Sequence, residues 1–307
     1  MLCQLYVNCQ HNTEYIYRTF LVGANCEVKY YLKDSISAQE VQKEIDRELV
    51  RLDSLLNRFS NASLVSELNR AGRASVPDDI RSLIRLSDSL SLLTDGLFDI
   101  TTAPLIEFWG FYDHEFSNPD TVKIQEILEF IDHRKIRIHH DTVILAPGMK
   151  IDFGGIAQGY AADRVVDILK KYDVISALIN IGGEIVAIGN SPEARPWRIG
   201  IKNPRGDGLI ETVEIETCAL STSGDYEKFF VVGNKKYPHI INPKTGFPAR
   251  DFASVTIFHE RAAVADAIAT AVCIMGPEKG MKFLDSLDIR GIIYYEEDGI
   301  LQRSETP

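Results

Sequence analysis

Apolar residues at helical spacing predict amphipathic helices in the first half of the chain. After Ser37, which forms a capping-box pattern with Glu40, apolar residues recur every three or four positions, at Val41, Ile45, Leu49, Leu52 and Leu56. A second helix is predicted after Pro77, ending near 95–96, with a buried side of Ile80, Leu83, Ile84, Leu90 and Leu93. A third, shorter helix is predicted over about 120–131.

Strands and glycine-rich turns dominate the remaining pattern. Residues 19–32 predict a strand pair or a bent strand with an irregularity at Gly23. The second half repeats a strand followed by a glycine turn, at 151–155, 178–183 and 220–224. Because glycine lets the backbone approach a ligand closely, each of these turns is a candidate contact.

Two helices are predicted in this second half. Residues 156–172 follow the first glycine turn, and residues 261–275 (RAAVADAIATAVCIM) are almost wholly apolar, which predicts a buried helix. Gly233 and Asn234 form a predicted hairpin turn. Without a Pro/Gly/Ser-rich linker or an internal repeat, the pattern predicts one mixed α+β domain over 1–307.

Composition and charge exclude several classes of protein. The 307 residues are 45% hydrophobic and carry a formal net charge of −11, with a sequence pI near 5.2. An acidic chain of this kind does not bind nucleic acid through the phosphate backbone. Apolar runs stay short of the roughly 18–20 residues that span a bilayer, so no membrane span is expected.

The cysteines and the first residues bear on localisation. Five cysteines, without a CxxC pair, predict neither a disulfide framework nor a thiolate zinc site, and they favour a reducing compartment. The first ten residues lack the pattern of a secretory leader, and Cys3 has no apolar stretch before it for lipidation. We therefore expect a cytoplasmic protein; the alternative is an exported one whose leader is absent from this chain.

Asp266 and Thr270 lie four residues apart in the apolar helix, so their side chains share one face. A buried carboxylate needs a cation, a hydrogen-bond donor or a proton. One interpretation places Asp266 at a cap or on the surface. The other is a hard-metal site, in which these two oxygen groups leave positions for backbone carbonyls, waters and phosphate oxygens around Mg²⁺.

Two further segments carry candidate chemistry. Residues 152–159 (DFGGIAQG) place Asp152 at a strand end and glycines at a helix start, which suits either a tight structural turn or a phosphate held by backbone N–H groups. His239 precedes a Pro/Gly turn in an apolar stretch, where it is structural or steadies a ring or a phosphate.

These segments together resemble the ApbE-like family of FAD:protein FMN transferases. The similarity is spread over most of the chain, at 56–60 (LNRFS), 66–69 (SELN), 94–105 (TDGLFDITTAPL), 109–111 (WGF), 152–163 (DFGGIAQGYAAD), 180–183 (NIGG), 222–226 (TSGDY), 239–243 (HIINP) and 265–270 (ADAIAT). The resemblance implies an antiparallel-rich sheet with packed helices and a T-fold-like core.

The resemblance also implies an activity and a site. FMN is transferred from FAD to a threonine hydroxyl of an acceptor protein, a flavoprotein subunit of a redox complex or reductase, with AMP leaving and Mg²⁺ required. It implies metal ligands at Gly155, Asp266 and Thr270. It implies FAD contacts at Val22, Leu97, Phe98, Asp99, Asp152, Gln158, His239 and Ile240, and Asp152 or His239 is expected to assist loss of the acceptor proton. Phe98 and Tyr226 are candidate aromatic surfaces.

Two other functions compete with this one. A Mg²⁺-dependent FAD pyrophosphatase would use water in place of the acceptor hydroxyl and give FMN and AMP. A non-catalytic FAD-binding protein would release no AMP. The sequence alone does not name the acceptor protein.

Overall fold

The computed structural model describes residues 13–32, 37–112, 116, 120–233 and 235–306. Cys3, Cys9 and the second residue of the predicted 233–234 hairpin turn lie outside these residues. Within them, Cys26, Cys218 and Cys273 are free thiols, and every helix is too short or too polar to cross a bilayer.

Helices and strands alternate irregularly along the chain. The helices are α1 (Ala38–Leu56), α2 (Leu64–Ala71), α3 (Asp78–Leu93), α4 (Ala103–Phe108), α5 (Thr121–Leu128), α6 (Ala157–Lys171), α7 (Ala262–Met275) and α8 (Pro277–Ser286). The strands are β1 (Thr13–Leu21), β2 (Ala24–Leu32), β3 (Arg73–Ser75), β4 (Arg137–His139), β5 (Thr142–Ile144), β6 (Ala177–Ile181), β7 (Glu184–Ile188), β8 (Trp197–Lys202), β9 (Leu209–Ile215), β10 (Cys218–Gly224), β11 (Phe229–Val232), β12 (Lys235–Pro238), β13 (Ser254–His259), β14 (Gly291–Glu297) and β15 (Ile300–Glu305).

An eight-stranded sheet organises the fold, in the order β1-β2-β6-β7-β10-β13-β14-β15. Every neighbouring pair in it is antiparallel. In the described residues β1 and β15 do not pair, so the sheet is open rather than a closed barrel. The predicted α+β class with an antiparallel-rich sheet is therefore confirmed.

The register of this sheet brings three segments to one end. The β1–β2 turn pairs Leu21 with Ala24, and the β6–β7 turn pairs Ile181 with Glu184. Cys26 of β2 lies opposite Ile181 of β6, so the two turns are neighbours. Residues 222–224 at the end of β10 reach the same end, because Leu220 pairs with Ile185 of β7.

Helices cover one face of the sheet and a hairpin covers the other. The predicted buried helix is confirmed: α7 lies in the main core with α1 and α6, and it has ten fully or nearly buried residues. On the opposite face, the β8–β9 hairpin buries apolar side chains, among them Trp197 and Ile199, against Leu220 and Phe258 of the sheet. Central strand β13 is therefore buried on both faces.

Several local predictions are confirmed and two are wrong. The irregularity after residue 19 is the Val22–Gly23 turn between two strands, and the apolar face of α1 is buried as predicted. The Ser37 side chain, however, makes no capping hydrogen bond; its backbone carbonyl accepts from the N–H groups of Glu40 and Val41. Leu93 is 44% exposed rather than buried, since it lies at the last residue of α3.

Gly159 sets the distance between α6 and α7. A Cβ atom on this glycine would lie 2.4 Å from the carbonyl oxygen of Ala262, so only hydrogen fits there. Asp163, one turn further along α6, accepts hydrogen bonds from the N–H groups of Ala262 (2.7 Å) and Ala263 (3.2 Å) at the start of α7. The two helices are thus joined by close packing and by a shared carboxylate cap.

We expect Gly159→Ala to lower the free energy of unfolding by about 1–3 kcal/mol, because the added methyl group forces α6 and α7 apart. Chemical denaturation of the purified protein measures this. Gly154→Ala is the matched control, since a Cβ there meets its nearest atom, Asp152 Oδ1, at an ordinary 3.4 Å. Equal stability of the two variants would contradict the close approach.

Candidate functional site

A cavity of about 900 Å³ opens where the β1–β2 and β6–β7 turns meet the start of α6 and the middle of α7. It gathers residues from eight separate segments of the chain. All the site residues that the sequence predicts line this cavity, although their roles stay predictions. They are Val22, Leu97, Phe98, Asp99, Asp152, Gly155, Gln158, His239, Ile240, Asp266 and Thr270.

Asp266 is buried at the floor of this cavity, so its interpretation as a surface or capping residue is wrong. Its carboxylate is 6% exposed and accepts a hydrogen bond from the Gly159 N–H at 3.3 Å. Burial raises the pKa of Asp266 to about 7. One neutral N–H donor is weak compensation for a desolvated carboxylate, which a bound proton or a bound cation would relieve.

Thr270 and Gly155 complete an oxygen-rich corner with Asp266. A Cβ atom on Gly155 would lie 3.1 Å from Thr270 Oγ1, so the glycine turn and the threonine hydroxyl are in contact. The structure offers a carboxylate, a hydroxyl and a nearby backbone carbonyl, the hard oxygens that Mg²⁺ prefers. Among the described residues no group of three or more His, Cys, Asp or Glu side chains is arranged to hold a metal ion.

The glycine turn before α6 closes largely on itself. The Gly154 N–H donates to Asp152 Oδ1 at 2.9 Å, and the N–H groups of Ile156 and Ala157 donate to the Phe153 carbonyl at 2.9 and 2.7 Å. These three amides serve the turn, which favours the structural interpretation of the glycines over a phosphate cradle built from the same groups.

Asp152 is held by an aromatic and a cationic partner that the sequence did not assign. The Tyr112 hydroxyl donates to Asp152 Oδ2 at 2.5 Å, and Arg58 lies 3.5 Å from the same oxygen. The Arg58 guanidinium also lies over the Tyr112 ring. Burial raises the pKa of Asp152, and the charge of Arg58 opposes this. Arg58 is part of the motif 56–60 and Tyr112 directly follows the motif 109–111, but neither motif shows that the two side chains meet.

His239 is a neutral imidazole at the cavity wall. Burial and the charge of Lys228 lower its pKa to about 4. Its Nδ1 lies 3.2 Å from the Lys228 carbonyl oxygen. Because a carbonyl only accepts hydrogen bonds, Nδ1 carries the proton in this contact, and Nε2 keeps the lone pair.

The Val22–Gly23 turn is a strained part of the cavity wall. Val22 has φ 56, a left-handed conformation that a β-branched residue rarely adopts. The Asp53 carboxylate of α1 accepts a hydrogen bond from the Val22 N–H at 2.8 Å. This bond fixes the turn against α1 and keeps Val22 facing the cavity, where it is 8% exposed.

The side chain of Asp99 is already occupied within the fold. One of its oxygens accepts from the N–H and the hydroxyl of Thr101 at 2.8 and 2.7 Å, and the other accepts from the His133 N–H at 3.0 Å. Asp99 therefore shapes the 97–99 segment, and a ligand would meet this segment through Phe98 and the backbone. Tyr226, in contrast with Phe98, does not line the cavity.

Glu184 is an acid in the cavity that the sequence patterns did not single out. It begins β7 directly after the Gly182–Gly183 turn and is 5% exposed. Burial, and then the neighbouring charge of Asp266, raise the pKa of Glu184 well above its usual range. A glutamate that begins a strand after two glycines carries no sequence signal of burial. Only the folded structure shows that Glu184 is buried near Asp266.

The fold and the cavity define a class: an antiparallel α+β protein with a large cavity at one end of its sheet and hard-oxygen groups at the cavity floor. A sequence profile described as the ApbE family matches residues 22–293. The chain belongs to this family.

Relatives agree with the family in sequence and in structure. The FAD:protein FMN transferase of Treponema pallidum is 32% identical over 295 residues, which cover 88% of this chain and 81% of that protein. The crystal structure of the ApbE protein of Thermotoga maritima superposes with a TM-score of 0.87 at 33% identity, covering 95% of this chain and 97% of that one. The apo flavinyl transferase ApbE of Pseudomonas stutzeri gives a TM-score of 0.88 at 30% identity, covering 96% and 95% of the two chains.

Proposed function

We propose that this protein is an FAD:protein FMN transferase that moves FMN from FAD onto a threonine hydroxyl of an acceptor protein. The threonine oxygen attacks the phosphorus of the FMN half, a phosphodiester forms, and the diphosphate bond breaks with AMP leaving. The observation that carries the proposal is the convergence, in one cavity of a chain of the ApbE family, of the oxygen groups at 155, 266 and 270 with Asp152 and the neutral His239.

The cavity suits a ligand as large as FAD. Its volume of about 900 Å³ lies near the upper end of the usual range for ligand pockets, which is roughly 300–1,000 Å³. Apolar groups such as Phe98 and Ile240 and polar groups such as Gln158 line the same space. This mixture matches a flavin ring joined to a charged diphosphate.

Asp266, Thr270 and the carbonyl of Gly155 would hold Mg²⁺. When bound, the cation supplies Lewis-acid stabilisation of the charge that develops on the diphosphate as AMP leaves. The fit rests on the buried carboxylate of Asp266, which has a single neutral donor among the described residues.

His239 is the base that we assign to the acceptor hydroxyl. Its pKa of about 4 keeps it neutral at pH 7, and the Nδ1 contact with the Lys228 carbonyl leaves Nε2 to receive the threonine proton. Asp152 is the less suitable candidate for this base, because Tyr112 and Arg58 already contact one of its oxygens. We assign to it the positioning of FAD beside His239.

The test combines FAD, Mg²⁺ and candidate acceptors, namely flavoprotein subunits of redox complexes and reductases. We expect in-gel flavin fluorescence on an acceptor, an FMN-sized adduct on a threonine by mass spectrometry, and AMP in equal amount. The matched control is an acceptor with that threonine replaced by alanine.

The two competing functions predict different products. Free FMN with AMP, and no labelled acceptor, would identify an FAD pyrophosphatase. FAD binding without AMP under any metal condition would identify a non-catalytic flavin-binding protein. Either result would overturn the proposed transfer.

A further inference from the structure

The carboxylate of Glu184 lies inside the cavity without a counter-charge. The residue is 5% exposed and contributes to the cavity lining together with Asp266 and Gly183. Its Oε2 atom is buried and has no hydrogen-bond partner among the described residues. Within the same residues, no Lys, Arg or His side chain forms an ion pair with it.

This arrangement is costly unless a further group is bound. A buried carboxylate oxygen without a donor loses its hydration and regains nothing from the protein. Its neighbour Asp266 is a second buried carboxylate with one N–H donor. Two acids in one buried space repel each other, so each makes the other's isolation more costly.

A divalent cation resolves both costs at once. It supplies two positive charges to two carboxylates and gives the free oxygen of Glu184 a partner. Thr270 and the Gly155 turn supply neutral oxygens on the α7 side of the cavity, whereas Glu184 approaches from the sheet. The Gly182–Gly183 turn allows this approach, because both glycines have positive φ, at 66 and 105.

We propose that Glu184 is a second carboxylate of the cation site, which binds through Oε2, directly or through one water, the same divalent ion as Asp266 and Thr270. The inference rests on the cation site of the proposed function, and it adds a ligand from the sheet to those on α6 and α7. Once both acids have lost their protons, the site carries two negative charges, which match the two positive charges of a divalent cation.

Binding of Mn²⁺ alone, without flavin or acceptor, tests the inference. Free Mn²⁺ is counted by its electron paramagnetic resonance signal during a titration of the protein. We expect Glu184→Gln, which keeps the shape and removes the charge, to weaken Mn²⁺ binding about 10–100-fold. The matched control is Glu214→Gln, which removes an exposed charge on β9 and should leave binding unchanged.

Thermal unfolding separates a ligand from a merely structural acid. Without metal, Glu184→Gln should be at least as stable as the unmodified protein, because the variant removes a buried charge, and added Mn²⁺ should raise its melting temperature less. Glu184→Asp, which keeps the charge on a shorter side chain, should bind Mn²⁺ more tightly than Glu184→Gln. If Glu184→Gln does not fold, the Mn²⁺ titration is made with Glu184→Asp instead, and weaker binding than in the unmodified protein is then expected.

Two results would overturn the inference: Mn²⁺ binding by Glu184→Gln within twofold of the unmodified protein, or an equal metal-induced rise in melting temperature. Neither measurement contains FAD. If the unmodified protein fails to transfer flavin while Glu184→Gln loses Mn²⁺ binding, the proposed function alone is rejected. If the unmodified protein transfers flavin while Glu184→Gln binds Mn²⁺ normally, the Glu184 ligand alone is rejected.

Discussion

Replacing Asp266 with asparagine is expected to reduce the rate of flavin transfer by at least about 100-fold, because the loss of the cation's electrostatic help raises the barrier by several kcal/mol. Asparagine keeps the size and the acceptor oxygen for the Gly159 N–H but removes the charge. The fluorescence of labelled acceptor, followed over time at saturating FAD and excess Mg²⁺, measures the rate.

The control for this variant is Asp251→Asn, which changes an exposed aspartate whose positive φ of 67 asparagine also tolerates. It should transfer flavin at the unmodified rate. FAD binding by Asp266→Asn should change less than the rate, since other parts of the cavity contact the flavin. Transfer by this variant within threefold of the unmodified rate would refute a role for Asp266 in holding the cation.

Replacing His239 with glutamine is expected to slow transfer about 10²–10⁴-fold while FAD still binds, because the acceptor hydroxyl loses its proton acceptor. The pH dependence follows from the pKa of about 4. The base is lost when pH falls through about 4, so the pH profile of the unmodified protein should show no histidine step between pH 5 and 8. The control is His139→Gln, an exposed histidine on β4.

The same lowered pKa has a consequence for stability. Between pH 6.5, the usual pKa of histidine, and about 4, the unfolded chain binds a proton at His239 that the folded protein does not. Stability therefore falls as pH decreases through this window. Chemical denaturation of the unmodified protein and of His239→Gln, measured across this pH window, should show the two free energies of unfolding diverging. The unmodified protein should lose more of its stability. A histidine step near pH 6.5 in the rate would contradict the lowered pKa of His239.

Helical spacing was sufficient to predict the central pair of the candidate site. Asp266 and Thr270 are one turn apart, and the apolar residues around them indicate burial, so the geometry of a helix places both oxygens on one face. The β1–β2 strand pair and α1 followed for the same reason, because a regular pattern of apolar residues fixes which side chains enter the core.

Contacts between distant segments were beyond the reach of local patterns. Arg58 and Tyr112 meet Asp152 only because the loop after α1 and the segment after α4 close over the same cavity. Glu184 comes beside Asp266 through sheet order, which no spacing along the chain encodes. Helix α8 was missed because it begins at Pro277 with few apolar residues, and of its ten residues only Gly280 and Leu284 are buried.

Gly159 leaves this protein little freedom to change its chemistry and its architecture separately. The residue that admits the Ala262 carbonyl at contact distance is also the one whose N–H meets Asp266. Any substitution that widens the spacing of α6 and α7 to relieve core packing also pulls the amide away from the acid. Laboratory evolution toward another metal or a larger substrate would therefore not accept substitutions at Gly159. It would have to begin with the loops that line the cavity.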